Sequence, residues 1–458
     1  MAAELFATDT RPVAPSVSGG GKLTLFLLAL VIVVIAEAIG NVSIPVGPGK
    51  IVLLPLLWAL LLGGALGLMS PRLPASLQLT LPLQNAASAY LQPALLIFIA
   101  KLGLLVGGSL PKILASGWAL AFQECGHFFG TMVFGLPVAL LLGIKREAIG
   151  ATFSVGREPS LAIIGERYGM DSPEGRGVLA EYLTGTVFGA VFIALLAGLI
   201  ASLKIFDPLA LAMGAGVGSG SMMAAASGAI AAQQTPEIAR DVATFAAASN
   251  LVTTTIGTYF TLFLSLPFAI WAYGRLEPIL GRNRPDAARP AAAPQEAAPQ
   301  EAAPAHAEVR IGFAETVLAW ILIGAYGLIG NWLTYGVVPD ARVAAGMAII
   351  VGTVLAGWGF YRLLGRRLPA VLWVSIIGMA LTYPGTPYAA EIAALTGKLN
   401  FLALATPILT FAGLSVAKDV PAFRRLGWRI VVVSFLANAG TFLGAVLIAQ
   451  VFMHAPPG

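Results

Sequence analysis

The sequence predicts an all-α integral membrane protein with about 11 or 12 transmembrane helices plus two re-entrant, broken-helix hairpins, arranged as inverted repeats with scaffold and transport domains. The first observation is composition: hydrophobic residues make up 58% of the chain and charged residues only 11%, against about 25% charged in soluble domains. The second is that the chain repeats itself twice, one duplication inside the other. The charge deficit indicates a chain embedded in lipid, and the repeats indicate how it is organised.

Apolar runs of about 20 residues, the length that crosses a bilayer, recur along the chain. They lie at 23–43, 51–70, 112–143, 177–203, 241–273, 314–335, 342–361, 399–417 and 428–452. Shorter or more polar candidates lie at 76–91, 93–109 and 369–385. If residues 76–91 cross, the count is about 12 and the N-terminus lies outside; if they lie at the interface, the count is about 11 and the N-terminus is cytoplasmic.

The outer duplication relates the two ends of the chain. Its collinear matches are Ile39-Gly40-Asn41 with Ile329-Gly330-Asn331, Arg72-Leu73-Pro74-Ala75 with Arg367-Leu368-Pro369-Ala370, and Gly103-Leu104, Gly117-Trp118 and Gly130-Thr131 with Gly413-Leu414, Gly427-Trp428 and Gly440-Thr441. The offset rises in order from 290 through 295 to 310 residues, as loop insertions would produce. Lys145 and Arg146 favour a cytoplasmic end for the helix at 112–143, so we expect the copies to be inverted there.

An inner duplication lies between these copies. Gly150-Ala151 and Gly156 match Gly214-Ala215 and Gly220, and Ser172-Pro173-Glu174 matches Thr235-Pro236-Glu237. Each unit contains an apolar stretch with a polar or glycine-rich break, at 156–159 and at 216–221, followed by a long helix. The half-helices beside the first break are about 15 Å long, half a membrane. The breaks therefore predict re-entrant hairpins rather than straight spans.

These features divide the chain into five parts. Residues 1–21 read as a disordered tail, 22–143 as the first scaffold repeat, 144–275 as a transport core with two hairpin-plus-helix units, 276–312 as a linker, and 313–453 as the second scaffold repeat. The linker is Ala/Pro/Gln-rich and flanked by arginines, so by the positive-inside tendency it is cytoplasmic and the C-terminus lies outside. We expect a multi-pass protein of the bacterial inner membrane. A homodimer formed through the scaffold is expected, as the resemblance given below implies.

The two breaks are the candidate substrate site. A half-helix that ends inside the membrane presents unpaired backbone N–H groups and the positive end of its dipole, which attract an anion. Arg157 is the natural clamp for a carboxylate, because its planar fork contacts two oxygens. The expected substrate-binding residues are Ser154, Gly156, Arg157 and Ser160 on the first tip and Gly218, Ser219, Gly220 and Ser221 on the second. Two other interpretations remain open: Arg157 and Glu158 as an interfacial loop pair, and the glycines as helix-packing residues.

Further polar residues lie in the helices that follow the breaks. Hydroxyls, amide oxygens and carboxylates can bind a sodium ion or relay a proton, and an intramembrane carboxylate is a functional candidate by default. The expected ion-coupling residues are Glu158, Glu181, Thr184, Asn250, Thr253 and Thr254. For Glu181, a position at a helix end near the Ser-Pro-Glu corner is an equal alternative. No cofactor is expected, apart from Na⁺ as a possible coupling ion.

Glu124 and His127 form a polar pair inside the apolar helix at 112–143. Their spacing of three residues puts both on one helical face, and Lys101 could reach them from the preceding helix. We interpret the three as a possible proton relay, with a structural polar cluster or a subunit contact as the alternative. A metal site is not expected, because the other histidines, His306 and His454, lie in the linker and the tail. The single Cys125 excludes a disulfide framework.

Two hairpins with Gly/Ser-rich tips, each followed by a long helix and flanked by inverted repeats, resemble the elevator-type carriers of the ion-transporter superfamily. The Gly-Val-Gly-Ser-Gly-Ser-Met-Met run at 216–223 also resembles a bacterial membrane-protein family of unknown function. The first resemblance implies movement of organic anions with sodium ions or protons. The Ser-Asn-Thr tip of the dicarboxylate carriers and the Gly-Gly-x-Gly of the citrate carriers are absent from the sequence, so a substrate does not carry over.

The sequence therefore predicts a secondary active transporter that moves a small, carboxylate-type organic anion, coupled to H⁺ or Na⁺, by an elevator mechanism. A channel or uniporter is the alternative, and a membrane-embedded enzyme a weaker one. An enzyme would need a nucleophile and base pair or a second histidine, which the sequence does not offer. A modest net charge of +5 gives no indication of a nucleic-acid partner. The expected partners are the anionic substrate and the lipid bilayer.

Overall fold

Apolar stretches of the sequence become long helices because a backbone in lipid must satisfy its own hydrogen bonds. The computed structural model describes residues 18–74, 77–115, 118–155, 158–170, 172–281, 311–364, 369–424 and 427–453. In the first half the helices are α1 (Gly19–Ile39), α2 (Pro55–Met69), α3 (Leu81–Ala115), α4 (Ala119–Leu141), α5 (Glu147–Thr152), α6 (Glu158–Tyr168), α7 (Pro173–Thr184), α8 (Ala190–Leu203), α9 (Pro208–Gly216), α10 (Gly220–Ala231), α11 (Pro236–Phe260) and α12 (Leu266–Leu280).

The second half of the chain is also helical. Its helices are α13 (Phe313–Tyr335), α14 (Ala341–Leu363), α15 (Ala370–Thr382), α16 (Ala389–Gly397), α17 (Phe401–Val416), α18 (Val420–Arg424) and α19 (Trp428–Met453). Two π-helical segments, Gly185–Gly189 and Thr261–Ser265, join α7 to α8 and α11 to α12 without a break in the helix.

Seven of the described helices are long and apolar enough to cross a membrane, and α16 with α17, bent by 59°, adds an eighth. This confirms a helical, multi-pass membrane protein. The sequence treated 76–91 and 93–109 as separate candidates, whereas residues 81–115 form the single helix α3, with Pro93 and Pro111 inside it. Proline is tolerated within transmembrane helices because neighbours satisfy the freed backbone groups. The version with a separate span at 76–91 is therefore wrong.

A short β-hairpin between α1 and α2 was not predicted. Strands β1 (Val42–Val46) and β2 (Gly49–Leu53) pair antiparallel. The turn between them is Gly47-Pro48, and Gly47 has φ +55°, a left-handed conformation that glycine adopts readily. The backbone N–H of Lys50 donates to Ser202 Oγ at the end of α8 (2.9 Å). The hairpin therefore connects the start of the chain to the end of α8.

The helices pack as two groups. The first bundle contains α1, α2, α3 and α13 to α17, and the second bundle contains α4 to α12 and α19. Contacts between the bundles are confined mainly to α11 on α3 and α15, α10 on α17, and β2 on α8 and α10. Helices α4 and α19, which the sequence placed in the scaffold repeats, pack instead with the helices of the core. By packing, α4 and α19 therefore belong to the second bundle, whereas the sequence assigned them to the scaffold repeats at 22–143 and 313–453.

Helices α4 and α19 approach each other closely in the second bundle. A Cβ atom at Gly130 would overlap the carbonyl of Gly440, and one at Gly126 would overlap the carbonyl of Gly444. Small residues at this spacing let helix backbones approach closely in membranes. As the residue number rises on α4 it falls on α19, so the two helices are antiparallel. Gly130 and Gly440 are the positions that the outer repeat matched.

The helices that begin the two outer copies, α1 and α13, are parallel rather than antiparallel. Lys22 pairs with Glu315 (2.7 Å) near the starts of α1 and α13, and Glu37 accepts from Thr334 near their ends. These helices are therefore parallel, so the inversion expected for the outer copies is not complete. The difference arises at α3. This segment of the first copy is a single helix, whereas the corresponding segment of the second copy reverses direction between α15 and α16–α17.

Candidate functional site

Both predicted breaks separate short helices in the second bundle. Helix α5 ends at Thr152 and α6 begins at Glu158, while α9 ends at Gly216 and α10 begins at Gly220. The residues around them are apolar or small and are buried, from Ala148 to Val155 and from Ala210 to Val217. Backbone groups at these ends lack partners within their own helices. Their hydrogen bonds therefore have to come from other elements.

The first break, which we call tip 1 (residues 153–160), is held by two serine contacts. Ser160 Oγ donates to Ser154 Oγ (3.0 Å), and both side chains are buried. Ser265, in the π-helical segment between α11 and α12, donates its hydroxyl to the carbonyl of Phe153. Gly156 and Arg157 lie outside the described residues, as does the side chain of Glu158. Tip 1 thus contains two of its predicted binding residues in mutual contact.

The second break, tip 2 (residues 217–221), is fully described. Gly218 has φ +110°, a conformation that strains any residue with a Cβ. Ser219 caps α10, and its Oγ accepts from the backbone N–H of Met222 (3.3 Å) and lies 3.1 Å from Ser221 Oγ. A Cβ at Gly220 would overlap the side chain of Leu95 on α3. Tip 2 therefore touches the first bundle directly.

Helix α11 supplies the donors that tip 2 needs. Asn250 Nδ2 donates to the carbonyls of Gly216 (2.7 Å) and Gly218 (3.3 Å), and Ser249 Oγ donates to the carbonyl of Met213 (2.7 Å). These are carbonyls that the end of α9 leaves without helical partners. Asn250 was expected to coordinate an ion. Its amide N–H₂ holds the backbone of tip 2, and the ion-binding role stays a prediction.

The two tips are held by one continuous helix, α11–α12. Asn250 binds tip 2 and Ser265 binds tip 1, and at 1.5 Å per residue these donors are about 22 Å apart along the helix. Among the described residues, the serines of one tip form no hydrogen bond with those of the other. The described serines of tip 1 and those of tip 2 are therefore held beside different parts of this helix.

Glu181 and Thr184 lie on α7, fully buried. Glu181 Oε1 accepts from Asn438 Nδ2 on α19 (2.8 Å), and Thr184 Oγ1 donates to the carbonyl of Ala180 in its own helix (2.8 Å). Thr184 directly precedes the π-helical segment, a feature frequent at functional sites. The contact between Glu181 and α19 places this carboxylate at the antiparallel helix pair rather than at a helix end in water.

Glu124 and Thr253, which the sequence assigned to different groups, are in contact. Glu124 accepts from the hydroxyl of Thr253 on α11, from Gln123 Nε2 (2.8 Å), and faces His127 Nδ1 (3.2 Å). The side chains of Glu124, Gln123, His127 and Thr253 are all buried. The neighbouring Thr254 is half-buried. A buried carboxyl–imidazole pair on α4 is thus joined to the helix that holds tip 2.

Lys101 does not belong to this group. Its Nζ donates to the carbonyl of Thr396 (2.7 Å), at the end of α16 in the first bundle. The expectation that Lys101 reaches Glu124 and His127 is therefore wrong. The bend between α16 and α17 leaves carbonyls without helical partners, and the buried ammonium binds one of them.

Several residues at the site were missed from the sequence. Asn438 and Thr441 on α19 are buried, and among the described residues Asn438 Oδ1, Thr441 Oγ1 and His127 Nε2 have no hydrogen-bond partner. Thr441 could have been found from the sequence, because Gly440-Thr441 repeats Gly130-Thr131. Ser249, Ser265 and Gln123 gave no local signal, because their roles depend on contacts between distant helices.

A crevice between the bundles leads toward tip 2. It is largely apolar, with Asn250 and Ser375 as its polar side chains. Its walls come from α3 (Ile99, Leu102, Gly103, Val106), α11 (Ala247, Asn250, Leu251) and α15 (Val371, Ser375, Met379). Within the described part of the chain, no three His, Cys, Asp or Glu residues are grouped as a metal site requires.

The fold and these buried polar groups define a multi-pass helical membrane protein. A family model described as protein of unknown function (DUF3100) matches residues 34–275, and the chain belongs to that family. The matched segment contains both tips and the run at 216–223, in agreement with the expected resemblance to a membrane-protein family of unknown function. No curated protein and no solved structure matches the chain. These comparisons give no support for the expected resemblance to the ion-transporter superfamily.

Proposed function

We propose that this protein is a secondary active carrier that moves a small organic anion across the bacterial inner membrane, coupled to H⁺ or Na⁺. The observation that carries the proposal is tip 2. An irregular backbone at membrane depth is tolerated only where it is buried or lines a cavity, and here Asn250 satisfies two of its carbonyls. A tip held in this way at the contact between two bundles is typical of a substrate site in carriers with broken helices.

The two tips supply complementary parts of an anion site. Helix α10 begins at Gly220, after the capping residue Ser219, with its first N–H groups directed toward the break, which favours negative charge. Tip 1 adds Ser154 and Ser160, and Arg157 is the expected carboxylate clamp. In this proposal both short-helix pairs are re-entrant hairpins. The chain then crosses the membrane about 11 times, with α7–α8, α11–α12 and α16–α17 each counted as one crossing.

The division into two bundles supports an elevator mechanism. The second bundle carries both tips, Glu124 and Glu181, and its contacts with the first bundle are few. The antiparallel pair α4 and α19 at its centre is the relation that inverted repeats produce. We propose that the second bundle moves against the first, and that the first bundle forms the contact of a homodimer. If successive membrane crossings alternate in direction, the N-terminus and the linker at 276–312 both lie on the cytoplasmic side.

Two buried carboxylates remain as coupling sites, Glu124 and Glu181. A carboxylate that binds sodium stays ionised among oxygen ligands, whereas one that exchanges a proton becomes neutral. Glu181→Gln keeps the shape of the side chain and an oxygen that accepts from Asn438. Comparison of substrate accumulation with substrate-for-substrate exchange in this variant separates a coupling role from a packing role.

The test of function is a thermal-stability screen of the purified protein across organic acids, with and without sodium at fixed pH. A ligand of the native state at about 100 times its Kd stabilises by about 2.7 kcal/mol, so we expect a saturable rise in melting temperature with at least one carboxylic acid. The amide of the same acid is the matched control and should give no rise. If no acid stabilises the protein and vesicles containing it show gradient-independent conductance, the carrier proposal fails and a channel is favoured.

A further inference from the structure

The Glu124–His127 pair is built for a proton rather than for a cation. The carboxylate accepts hydrogen bonds from the Thr253 hydroxyl and the Gln123 amide N–H₂, and an imidazole nitrogen of His127 lies beside it. A sodium ion would require a cage of oxygen acceptors in place of these donors. A hydroxyl and an amide that donate to the carboxylate, with an imidazole beside it, form an arrangement that suits proton exchange.

Protonation of Glu124 would reverse one hydrogen bond. The hydroxyl of Thr253 has a single proton and two acceptors, Glu124 Oε1 and the carbonyl of Ser249 (3.0 Å). When Glu124 is ionised, Thr253 donates to the carboxylate. When a proton binds Glu124 Oε1, the new O–H donates to Thr253 Oγ1 and the Thr253 proton turns to the Ser249 carbonyl. The proton balance is one proton gained at Glu124 and no change at Thr253.

The carbonyl that receives this bond belongs to the turn of α11 that holds tip 2. Ser249 Oγ binds Met213 in α9, and the next residue, Asn250, binds Gly216 and Gly218. A change in the hydrogen bond at Ser249 therefore acts on the two side chains that position α9 and the break. Thr253, Asn250 and Ser249 lie within about one helical turn.

The remaining charged groups near α4 are engaged elsewhere. On α4 itself, Cys125 is the only other titratable neighbour in sequence. Charged side chains on the helices that pack against α4 have other partners or lie at helix ends: Glu147 with Arg176, Glu277 with Lys145, Asp241 with Lys112, Arg275 over Trp271, Arg429 beside Trp428, and Arg240 and Glu237 in the first turns of α11. His127 Nε2, buried and without a partner among the described residues, is the second place for a proton.

We infer that proton binding at the Glu124–His127 pair, relayed by Thr253, controls the conformation of tip 2. The role of this control in transport rests on the proposed carrier function, but the test of the control itself needs no substrate. The pair would then couple transport to protons rather than to sodium ions. Protonation state, not cation occupancy, would set whether tip 2 is firmly held by α11.

The experiment measures labelling of a single cysteine at Ser221→Cys in a Cys125→Ala background by a small thiol reagent. Rates at pH of about 5 to 8, the range in which a histidine titrates, are divided by those of a reference cysteine at Thr235→Cys, exposed in the loop between α10 and α11, which removes the pH dependence of the thiol. We expect the normalised rate to change about two- to tenfold across this range, the change that one net hydrogen bond supplies. Sodium at fixed pH should leave it unchanged.

Three variants decide the origin of the change. Glu124→Gln should flatten the pH dependence, and Thr253→Val, which keeps the pair but removes the relay, should flatten it as well. Glu37→Gln is the matched control, because Glu37 is also a buried carboxyl that accepts from a threonine, but in the first bundle. A flat wild-type profile, an unaltered profile in folded Thr253→Val, or a response to sodium instead of pH would overturn the inference. A pH response without any uptake would leave it standing and defeat the proposed carrier function instead.

Discussion

Replacing Asn250 with leucine is expected to lower the uptake of the transported anion into proteoliposomes at least about tenfold while the protein still folds. The amide of Asn250 donates to two buried carbonyls of tip 2, and leucine has a similar size but no donor. A buried polar group left unsatisfied costs about 1–3 kcal/mol. The carbonyls will avoid this cost by turning away, which changes the path of the backbone through Gly218. We expect the initial uptake rate to fall by about tenfold to more than a hundredfold.

The matched control is Asn331→Leu. Asn331 is also a buried asparagine that binds backbone groups, donating to the Lys398 carbonyl (3.1 Å) and accepting from the N–H of Asn400 (2.8 Å), but it lies in the first bundle. It should lose a comparable amount of stability and keep most of its uptake. If both variants transport at the wild-type rate, tip 2 is not the substrate site. Melting temperatures measured alongside exclude unfolding as the cause.

Arg157→Gln is expected to abolish uptake of an anionic substrate. Truncating one partner of a buried charge pair costs about 2–5 kcal/mol, which corresponds to a loss of about 30-fold to several thousandfold in affinity. Arg157 itself lies outside the described residues, so this expectation comes from the sequence. The structure adds that Ser154 and Ser160 on either side of it are buried and bonded to each other.

Arg176→Gln is the control for the loss of an arginine. The guanidinium of Arg176 is more than half exposed and pairs with Glu147, and an exposed pair contributes about 0–1 kcal/mol. Uptake by this variant should stay within a few-fold of wild type. Equal effects of the two substitutions would return Arg157 to the role of an interfacial loop residue.

The membrane character and the two helix breaks could be predicted because both are local. A run of apolar residues has to be helical in lipid, and Gly156 to Pro159 and Gly216 to Ser221 interrupt such runs. The β-hairpin had a local signal too, since Gly47-Pro48 lies between residues that pair as strands. The apolar runs predicted at 23–43 and 51–70 on either side of it masked that signal.

The connections between helices could not be predicted. Glu124 and Thr253 are separated by 129 residues, and nothing in either segment indicates the other. The same holds for Lys101, whose partner is a backbone carbonyl exposed by a bend. Helix α3 shows the limit for topology: Pro93 looked like a boundary, but in the structure it lies inside a continuous helix. That one helix decides how far the outer copies are inverted.

The central claim, that the second bundle moves against the first, is tested most directly by cross-linking the bundles. Lys112 on α3 and Asp241 on α11 form a pair across the interface (2.6 Å), and Lys145 and Glu277 form one within the second bundle (3.1 Å). Each pair is replaced by cysteines in a Cys125→Ala background and joined by a short, cleavable thiol cross-linker. Uptake of the anion found by the stability screen is then measured before and after cleavage. The account predicts that the 112–241 link stops uptake and that its cleavage restores it, whereas the 145–277 link has no effect. Undiminished uptake with the bundles cross-linked at 112–241 would contradict it.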